Sequence, residues 1–207
     1  MTDSARASQS SLILIGIAGL CVALNVGLGA VAFLIKLPIY LDAIGTIVIA
    51  MLAGRLGFKG FLLAAGVGAA SFLITGLFLN PAVIWFIPTQ VAIAAYAFYI
   101  ARPLLSPRLS NGRLSGGTWL IAVALGLGLG VVAGTVSAPI IAWVFGGITG
   151  AGASVITAVL LKSGENLYNS VLASGLASEP LDKTLQVLVA LFLVLATPRR
   201  VRSTLLG

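Results

Sequence analysis

Apolar runs long enough to cross a lipid bilayer recur along this sequence, and they restrict what it can fold into. Of its 207 residues, 59% are hydrophobic and 8% are charged, whereas an average soluble domain is about a quarter charged. A single core cannot bury this much apolar surface, so lipid must serve as part of the solvent. Backbone groups find no hydrogen-bond partner in lipid, and long apolar runs therefore favour helices. The sequence predicts an all-α membrane protein.

Glycine, proline and polar residues divide the apolar sequence into six predicted membrane helices. We expect helices at about 11–35, 41–54, from the turn at 54–60 to 79, 81–100, 118–145 and 181–197. Asp42 is expected to begin the second helix, since acidic residues suit helix N-termini. Pro81 can open the fourth helix but not continue the third. The prediction is a six-transmembrane-helix bundle, with residues 1–207 forming one integral membrane domain.

The basic residues predict which side each loop occupies, because arginine and lysine are enriched in cytoplasmic loops. Six spans would place nine of the twelve basic residues on one side: Arg6, Arg55, Lys59, Arg102, Arg108, Arg113, Arg199, Arg200 and Arg202. Only Lys36, Lys162 and Lys183 would lie on the other. Both termini, with residues 1–10 as a tail, are therefore predicted to be cytoplasmic in a multi-pass protein of the cell membrane. The 101–117 loop would be cytoplasmic and the 146–180 connection outside.

Missing residue types exclude several kinds of catalysis. The sequence has no histidine, and Cys21 is its only cysteine, so zinc triads and Ser-His-Asp or Cys-His catalysis are excluded within this chain. It has no Walker A motif and no acidic residue in the middle of a predicted span. The basic residues behind the net charge of +7 are scattered singly, which argues against nucleic-acid binding. We expect no enzyme, no metal site and no cofactor held by this chain.

Polar residues concentrate on the predicted outer side, in the stretch LKSGENLYNSVLASGLASEPLDK at 161–183. An aromatic wall with a few convergent polar groups is typical of a small-ligand site. The candidate residues for such a site lie in three segments: Trp85, Thr89, Gln90 and Tyr96; Asn166 and Asn169; Asp182 and Gln186. This set predicts a pocket that faces the medium.

Simpler roles compete with the ligand hypothesis for single residues. Trp85 also fits a lipid-interface anchor. Glu179 and Lys183 can be an i,i+4 ion pair on a helix surface. For Asn25, in the middle of the first helix, a packing hydrogen bond is the better interpretation. We therefore assign the ligand role to the outer cluster as a whole rather than to any one side chain.

Two helices carry small residues at four-residue spacing, which lets another helix backbone approach closely. The first helix has Gly19, Ala23 and Gly27, and the fifth has a matching series at 126, 130 and 134. Packing within the bundle is the better interpretation for the fifth helix. For the first helix, both internal packing and an external partner remain open.

Several segments together resemble a known family. They are LPIYLDAIGTIVIAMLAG at 37–54, Asn80-Pro81, ITGAGASVITAVLLKSGENL at 148–167, and EPLDKTLQVLVALFLVLATPRR at 179–200. These segments and the six-helix pattern are similar to those of the substrate-binding S components of energy-coupling factor (ECF) vitamin transporters. The resemblance covers nearly the whole chain.

The resemblance implies a function and a set of partners. An S component binds one vitamin or vitamin precursor near the outer face. It docks through helix 1 onto a transmembrane coupling subunit driven by two subunits that hydrolyse ATP. The family's small-residue motif would correspond to Gly19, Ala23 and Gly27.

Two other classes of membrane protein remain as alternatives. The first is a ligand-binding sensor or anchoring protein without transport activity. A sensor is expected to carry a cytoplasmic output domain, whereas only seven residues follow Arg200. The second, a small channel, would need a ring of charges or carbonyl groups, and the sequence offers no candidate.

Overall fold

The computed structural model describes residues 3–110 and 115–206, and these ranges contain helices and no strand. The α-helices are α1 (Asp3–Leu34), α2 (Ile44–Leu52), α3 (Phe58–Phe78), α4 (Ile87–Tyr96), α5 (Arg102–Ser110), α6 (Gly116–Val144), α7 (Ser154–Lys162), α8 (Leu167–Ala196) and α9 (Arg199–Leu206). Short 3-10 segments at Gly54–Leu56 and Pro81–Phe86, and a π-helical segment at Ala97–Ala101, join some of them. The predicted all-α class is confirmed.

Four helical segments in the described ranges are long and apolar enough to cross a membrane. They are Leu12–Leu34, Phe58–Phe78, Pro81–Leu109 and Gly116–Val144. Each exceeds the roughly 20 residues needed to span the apolar core of a bilayer. The prediction of a membrane protein is confirmed. The remaining two predicted spans correspond to α2, which has nine residues, and α8, which carries Glu179, Asp182 and Lys183.

Helix α2 lies at the centre of the bundle. All nine of its residues are buried, against α1, α3, α4 and α8. Gly45 allows the close approach of α1, because a Cβ atom there would collide with the backbone of Cys21. The predicted boundaries of 41–54 were too wide. The chain before α2 is not helical, and Asp42 does not cap it, since Ala43 is the N-cap residue and provides no side-chain bond.

The segment from Pro81 to Ser110 is helical throughout, although it changes helix type three times. Pro81 opens it as predicted, and Asn80 before it accepts a hydrogen bond from the Ala82 N–H at 3.0 Å. The predicted solvent loop at 101–117 is wrong in its first half, because α5 continues the helix and buries Leu105 and Leu109. Arg113, which was assigned to this loop, lies outside the described residues.

Helices α6 and α8 form the most extensive helix pair of the described chain. The small residues of α6 face this contact: a Cβ atom at Gly126 would meet Thr184, and one at Gly130 would meet Pro180. At Gly134 it would come within 3.2 Å of the Gly175 backbone. The prediction that this series serves internal packing is confirmed.

The predicted long outer connection at 146–180 is wrong as a description of local structure. Residues 154–162 form α7, and α8 begins at Leu167 rather than at about Leu181. Pro180 lies inside α8, where the Thr184 hydroxyl donates to its carbonyl oxygen at 2.7 Å. The polar stretch at 161–183 is therefore mostly helical, with its charged end buried inside the protein.

The predicted tail at 1–10 also differs from the structure, since α1 already begins at Asp3. The connections between the long helices lie at two opposite ends of the bundle. One end holds the 35–43 and 79–80 segments and the start of the 145–153 segment. The other holds the 53–57 turn, α5, the start of α6 and α9.

Candidate functional site

A cavity lies at the end of the bundle that holds the 35–43 segment. It offers about 110 Å³ to the centres of water-sized molecules. One water needs roughly 10–15 Å³ by the same measure, so the space accepts several waters or a small organic molecule. Helices α1, α3, α4, α6 and α8 all contribute to its wall.

Apolar surface predominates in the wall, and two clusters of interacting polar residues contribute to its lining. The apolar lining comes from Gly29, Ala30, Phe33, Phe72, Leu79, Val83, Phe86, Ile93, Ile141, Phe145 and Ala151. Polar or charged lining residues are Asn25, Tyr40, Asp42, Ser71, Thr75, Asn80, Thr89, Gln90, Ser137, Thr149, Glu179 and Lys183. This combination of an apolar wall and a few polar groups is usual for small-molecule sites.

Lys183 is the centre of the first polar group. Its ammonium nitrogen lies 2.7 Å from an oxygen of Asp182, 3.0 Å from one of Asp42 and 3.3 Å from one of Glu179. The side chain is 2% exposed. It also lies over the Tyr40 ring, 5.9 Å from the ring centre. The ammonium group therefore donates hydrogen bonds to Asp42 and Asp182 and makes an additional ion-pair contact with Glu179.

Asp182 and Gln186 hold the segment before α2 against α8. One Asp182 oxygen accepts from the Tyr40 and Leu41 N–H groups at 3.1 and 3.2 Å. Gln186 accepts from the Ala43 N–H at 2.8 Å and donates to the other Asp182 oxygen at 2.8 Å. These bonds satisfy backbone donors that no helix turn satisfies. Both residues support the cavity wall from behind and do not line it.

The second polar group is a hydrogen-bond network deeper in the bundle. The Asn25 amide donates to Thr46 at 3.2 Å and to Ser71 at 3.3 Å, and its oxygen accepts from the Gly45 N–H at 2.7 Å. The Thr46 hydroxyl in turn donates to the Gln90 side-chain oxygen at 3.0 Å. The packing role expected for Asn25 is confirmed. Asn25, Ser71 and Gln90 also line the cavity.

Two buried polar atoms of the cavity wall lack a hydrogen-bond partner among the described residues. One is the hydroxyl of Thr89, a residue that is 7% exposed, and the other is Oε2 of Glu179, a residue that is 6% exposed. The Glu179 oxygen has an ion-pair contact with Lys183, but its angle is unsuitable for a hydrogen bond. Such orphaned groups cost free energy, so a ligand that contacts them would recover it.

Tyr40 adds a neutral donor to the charged end of the cavity. Burial raises the pKa of its phenol well above the ordinary value, and the nearby Glu179 raises it further, while Lys183 opposes these effects. The phenol therefore stays protonated at neutral pH.

The structure brings together only part of the predicted site. Thr89 and Gln90 line the cavity, and Asp182 and Gln186 lie behind its wall. Trp85 is 62% exposed and lies outside it. The Tyr96 hydroxyl packs close to Gly128 of α6 instead.

Asn166 and Asn169 also lie outside the cavity lining, and both are exposed. Asn166 is the N-cap of α8, where its side chain accepts from the Asn169 N–H at 2.9 Å. This helix-cap role accounts for the Asn166 side chain without a ligand. The structure thus corrects the predicted convergence of these two residues with helix 4.

Sequence reasoning did not assign Tyr40, Asp42, Glu179 or Lys183 to the site. Asp42 was interpreted as a helix start, and Glu179 with Lys183 as an i,i+4 pair, because both roles are local. The i,i+4 pair is confirmed by its 3.3 Å contact. The available signal was that charged residues in such an apolar sequence rarely stay buried unless paired. Asp42 and Lys183 are each other's partners across 141 residues.

The small residues of α1 point away from the bundle. Gly19, Ala23 and Gly27 are exposed, and a Cβ atom at either glycine would find no described atom within 4 Å. Leu12, Leu20 and Leu34 on the same side of the helix are also exposed. Packing within the chain, one of the two open interpretations, therefore does not explain this stripe.

No protein-family model, curated protein or solved structure matches this chain.

Proposed function

We propose that this protein is the substrate-binding membrane subunit of an ECF-type importer, which captures a vitamin or vitamin precursor and delivers it through an ATPase-driven coupling module. The observation that carries the proposal is the cavity at one end of a membrane bundle, with apolar walls and unpartnered Thr89 and Glu179 atoms. A specific ligand that forms hydrogen bonds with such buried groups removes the free-energy cost of leaving them unpaired.

The positions of the connections between the helices support the membrane topology that this function requires. The cavity lies at the end that holds the 35–43 and 145–153 segments. Arg55, Lys59, Arg102 and Arg199 belong to segments at the opposite end, which suits a cytoplasmic face. With α2 and α8 counted as the second and sixth passes, both termini are cytoplasmic and the cavity faces the medium. A reporter fused after Gly207 should be active only in the cytoplasm.

The exposed stripe of α1 supports docking to a coupling subunit. Gly19, Ala23 and Gly27 form a smooth strip that another helix can approach closely. Energy then comes from the partner subunits, which hydrolyse ATP, and this chain supplies the binding site and the docking face.

The proposal is tested by identifying the ligand and following it into cells. Full-length protein is purified in detergent and denatured, and the released small molecules are identified by mass spectrometry. Uptake of the labelled compound is then measured in cells with and without the intact chain. Uptake that depends on the chain supports the proposal. Binding without any effect on uptake would instead indicate a membrane sensor.

A further inference from the structure

The carboxyl groups near Lys183 outnumber the positive charges available to pair with them. Asp42, Glu179 and Asp182 all lie within 3.3 Å of one ammonium nitrogen. No other lysine or arginine is among the described residues that line the cavity. With every group ionised, this corner carries a formal excess of two negative charges.

The three carboxyl groups are not equally satisfied. Asp182 accepts two backbone N–H groups on one oxygen and Lys183 and Gln186 on the other. Glu179 lines the cavity with an oxygen that no described group donates to. A buried carboxylate in that condition is costly unless a cation or donor reaches it. This corner therefore requires a cation or a hydrogen-bond donor, and the excess of carboxyl groups over positive charges favours the cation.

Lys183 cannot itself serve as a binding group for an anion. Its side chain is 2% exposed, and its ammonium group already contacts three carboxyl groups. An anionic ligand would have to enter beside Asp42 and Glu179, where like charges repel it.

The aromatic side chains of the cavity wall also favour a positively charged ligand. Phe86 and Phe145 stack with their ring centres 5.3 Å apart, and Phe33 and Tyr40 also line the cavity. Ring faces attract organic cations, and the attraction increases when the pair is shielded from water. The Lys183 ammonium already makes this kind of contact with Tyr40.

We propose that the cavity binds an organic cation, with its positive nitrogen near Glu179 and Asp42 and a hydrogen-bonding edge toward Thr89 and Gln90. The proposal rests on the proposed function, because it specifies the chemical class of the imported compound. Asp42 and Glu179 would select for the positive charge, and the deeper network that contains Gln90 would form hydrogen bonds with the other end of the ligand.

The test compares compounds that differ in charge, by calorimetric titration of the purified full-length protein. The cations are thiamine, choline and N1-methylnicotinamide; the neutral compounds are riboflavin and nicotinamide; the anions are biotin and pantothenate. N1-methylnicotinamide and nicotinamide differ in a fixed charge at nearly constant shape. We expect the tightest binding from a cation. Tightest binding by a neutral or anionic compound, or no binding of any cation by folded protein, overturns the inference.

Variants then locate the charge selection. Glu179→Gln and Asp42→Asn should each weaken binding of the cation about tenfold or more, whereas Glu165→Gln, at an exposed position, should not. Unchanged affinity in both cavity variants overturns the assignment. If a variant does not fold, the comparison of compounds on the unaltered protein still decides.

Failure of this inference can be distinguished from failure of the proposed function. A neutral or anionic compound that binds and depends on the chain for uptake would contradict the inference and leave the importer function standing. A cation that binds but whose uptake is independent of the chain would support the inference and contradict the importer function.

Discussion

The Lys183 ammonium lies 3.0 Å from the Asp42 carboxylate, so a single contact joins the middle of α8 to the segment that leads into α2. Asp182, the neighbour of Lys183, binds the backbone of that same segment at Tyr40 and Leu41. Two adjacent residues of α8 therefore contribute both to the cavity wall and to the position of the segment that leads into α2.

Lys183→Met should destabilise the protein strongly. The substitution leaves three clustered carboxyl groups without their shared cation, and breaking a buried ion pair by removing one partner costs about 3–5 kcal/mol. The free energy of unfolding is measured by denaturant titration in detergent. Lys162→Met, at an exposed lysine of α7, is the control and should change little. Equal stability of the two variants would show that the cluster contributes nothing to folding.

Gly130→Ala should also destabilise the protein, by about 1–3 kcal/mol, because overpacking forces the backbone to shift. The added methyl group would collide with Pro180 of α8. Gly19→Ala is the matched control, since the same atom there meets no described neighbour within 4 Å. Thermal unfolding in detergent compares the two. A similar loss of stability in both would mean that α1 is packed against something in the purified protein.

Thr89→Val should separate stability from ligand binding. It removes a buried hydroxyl that lacks a partner among the described residues, so the ligand-free protein should be equally or more stable. The affinity for the compound released from the protein should fall about tenfold, because the ligand loses a hydrogen bond. Both quantities come from titration and thermal unfolding of one preparation. Unchanged affinity would exclude Thr89 as a ligand contact.

Ala23→Leu should abolish uptake while leaving ligand binding intact. The larger side chain adds bulk to an exposed surface where a partner backbone is proposed to approach. Ala124→Leu, at an exposed alanine of α6, provides a control with the same change in volume. Uptake of the bound compound and its affinity are measured for both variants. Normal uptake by Ala23→Leu would remove the stripe from the docking surface.

The sequence predicted the fold best where the chain follows local rules. The end of α3 and the start of the next segment are fixed by Asn80 and Pro81, whose effects on the backbone are local. The start of α8 was missed by about fourteen residues for the opposite reason. Its polar residues resemble a solvent-exposed connection until their partners are known, and those partners lie far away in the sequence.

The same limit explains the candidate site. Thr89 and Gln90 could be selected because polar residues are rare in an apolar helix and need partners. Trp85 was selected for its aromatic ring and its four-residue spacing to Thr89, but it is exposed, since helical spacing alone does not tell which side faces the bundle. Asp42 could not be assigned to the site without knowing that Lys183 packs against it, which is a tertiary relationship.

The burial of α2 has a consequence for biogenesis. Nine residues of α-helix rise about 14 Å, roughly half the apolar thickness of a bilayer. Such a segment is too short to be released into lipid by the insertion machinery as an independent span. Its neighbours α1 and α3 are long enough to insert as membrane spans, and α2 would enter the membrane between them. The position of α2 is then completed only when α8, which follows α1 to α7 in the chain, supplies Asp182 and Gln186. The binding cavity would therefore form only after α1 to α8 have all been made.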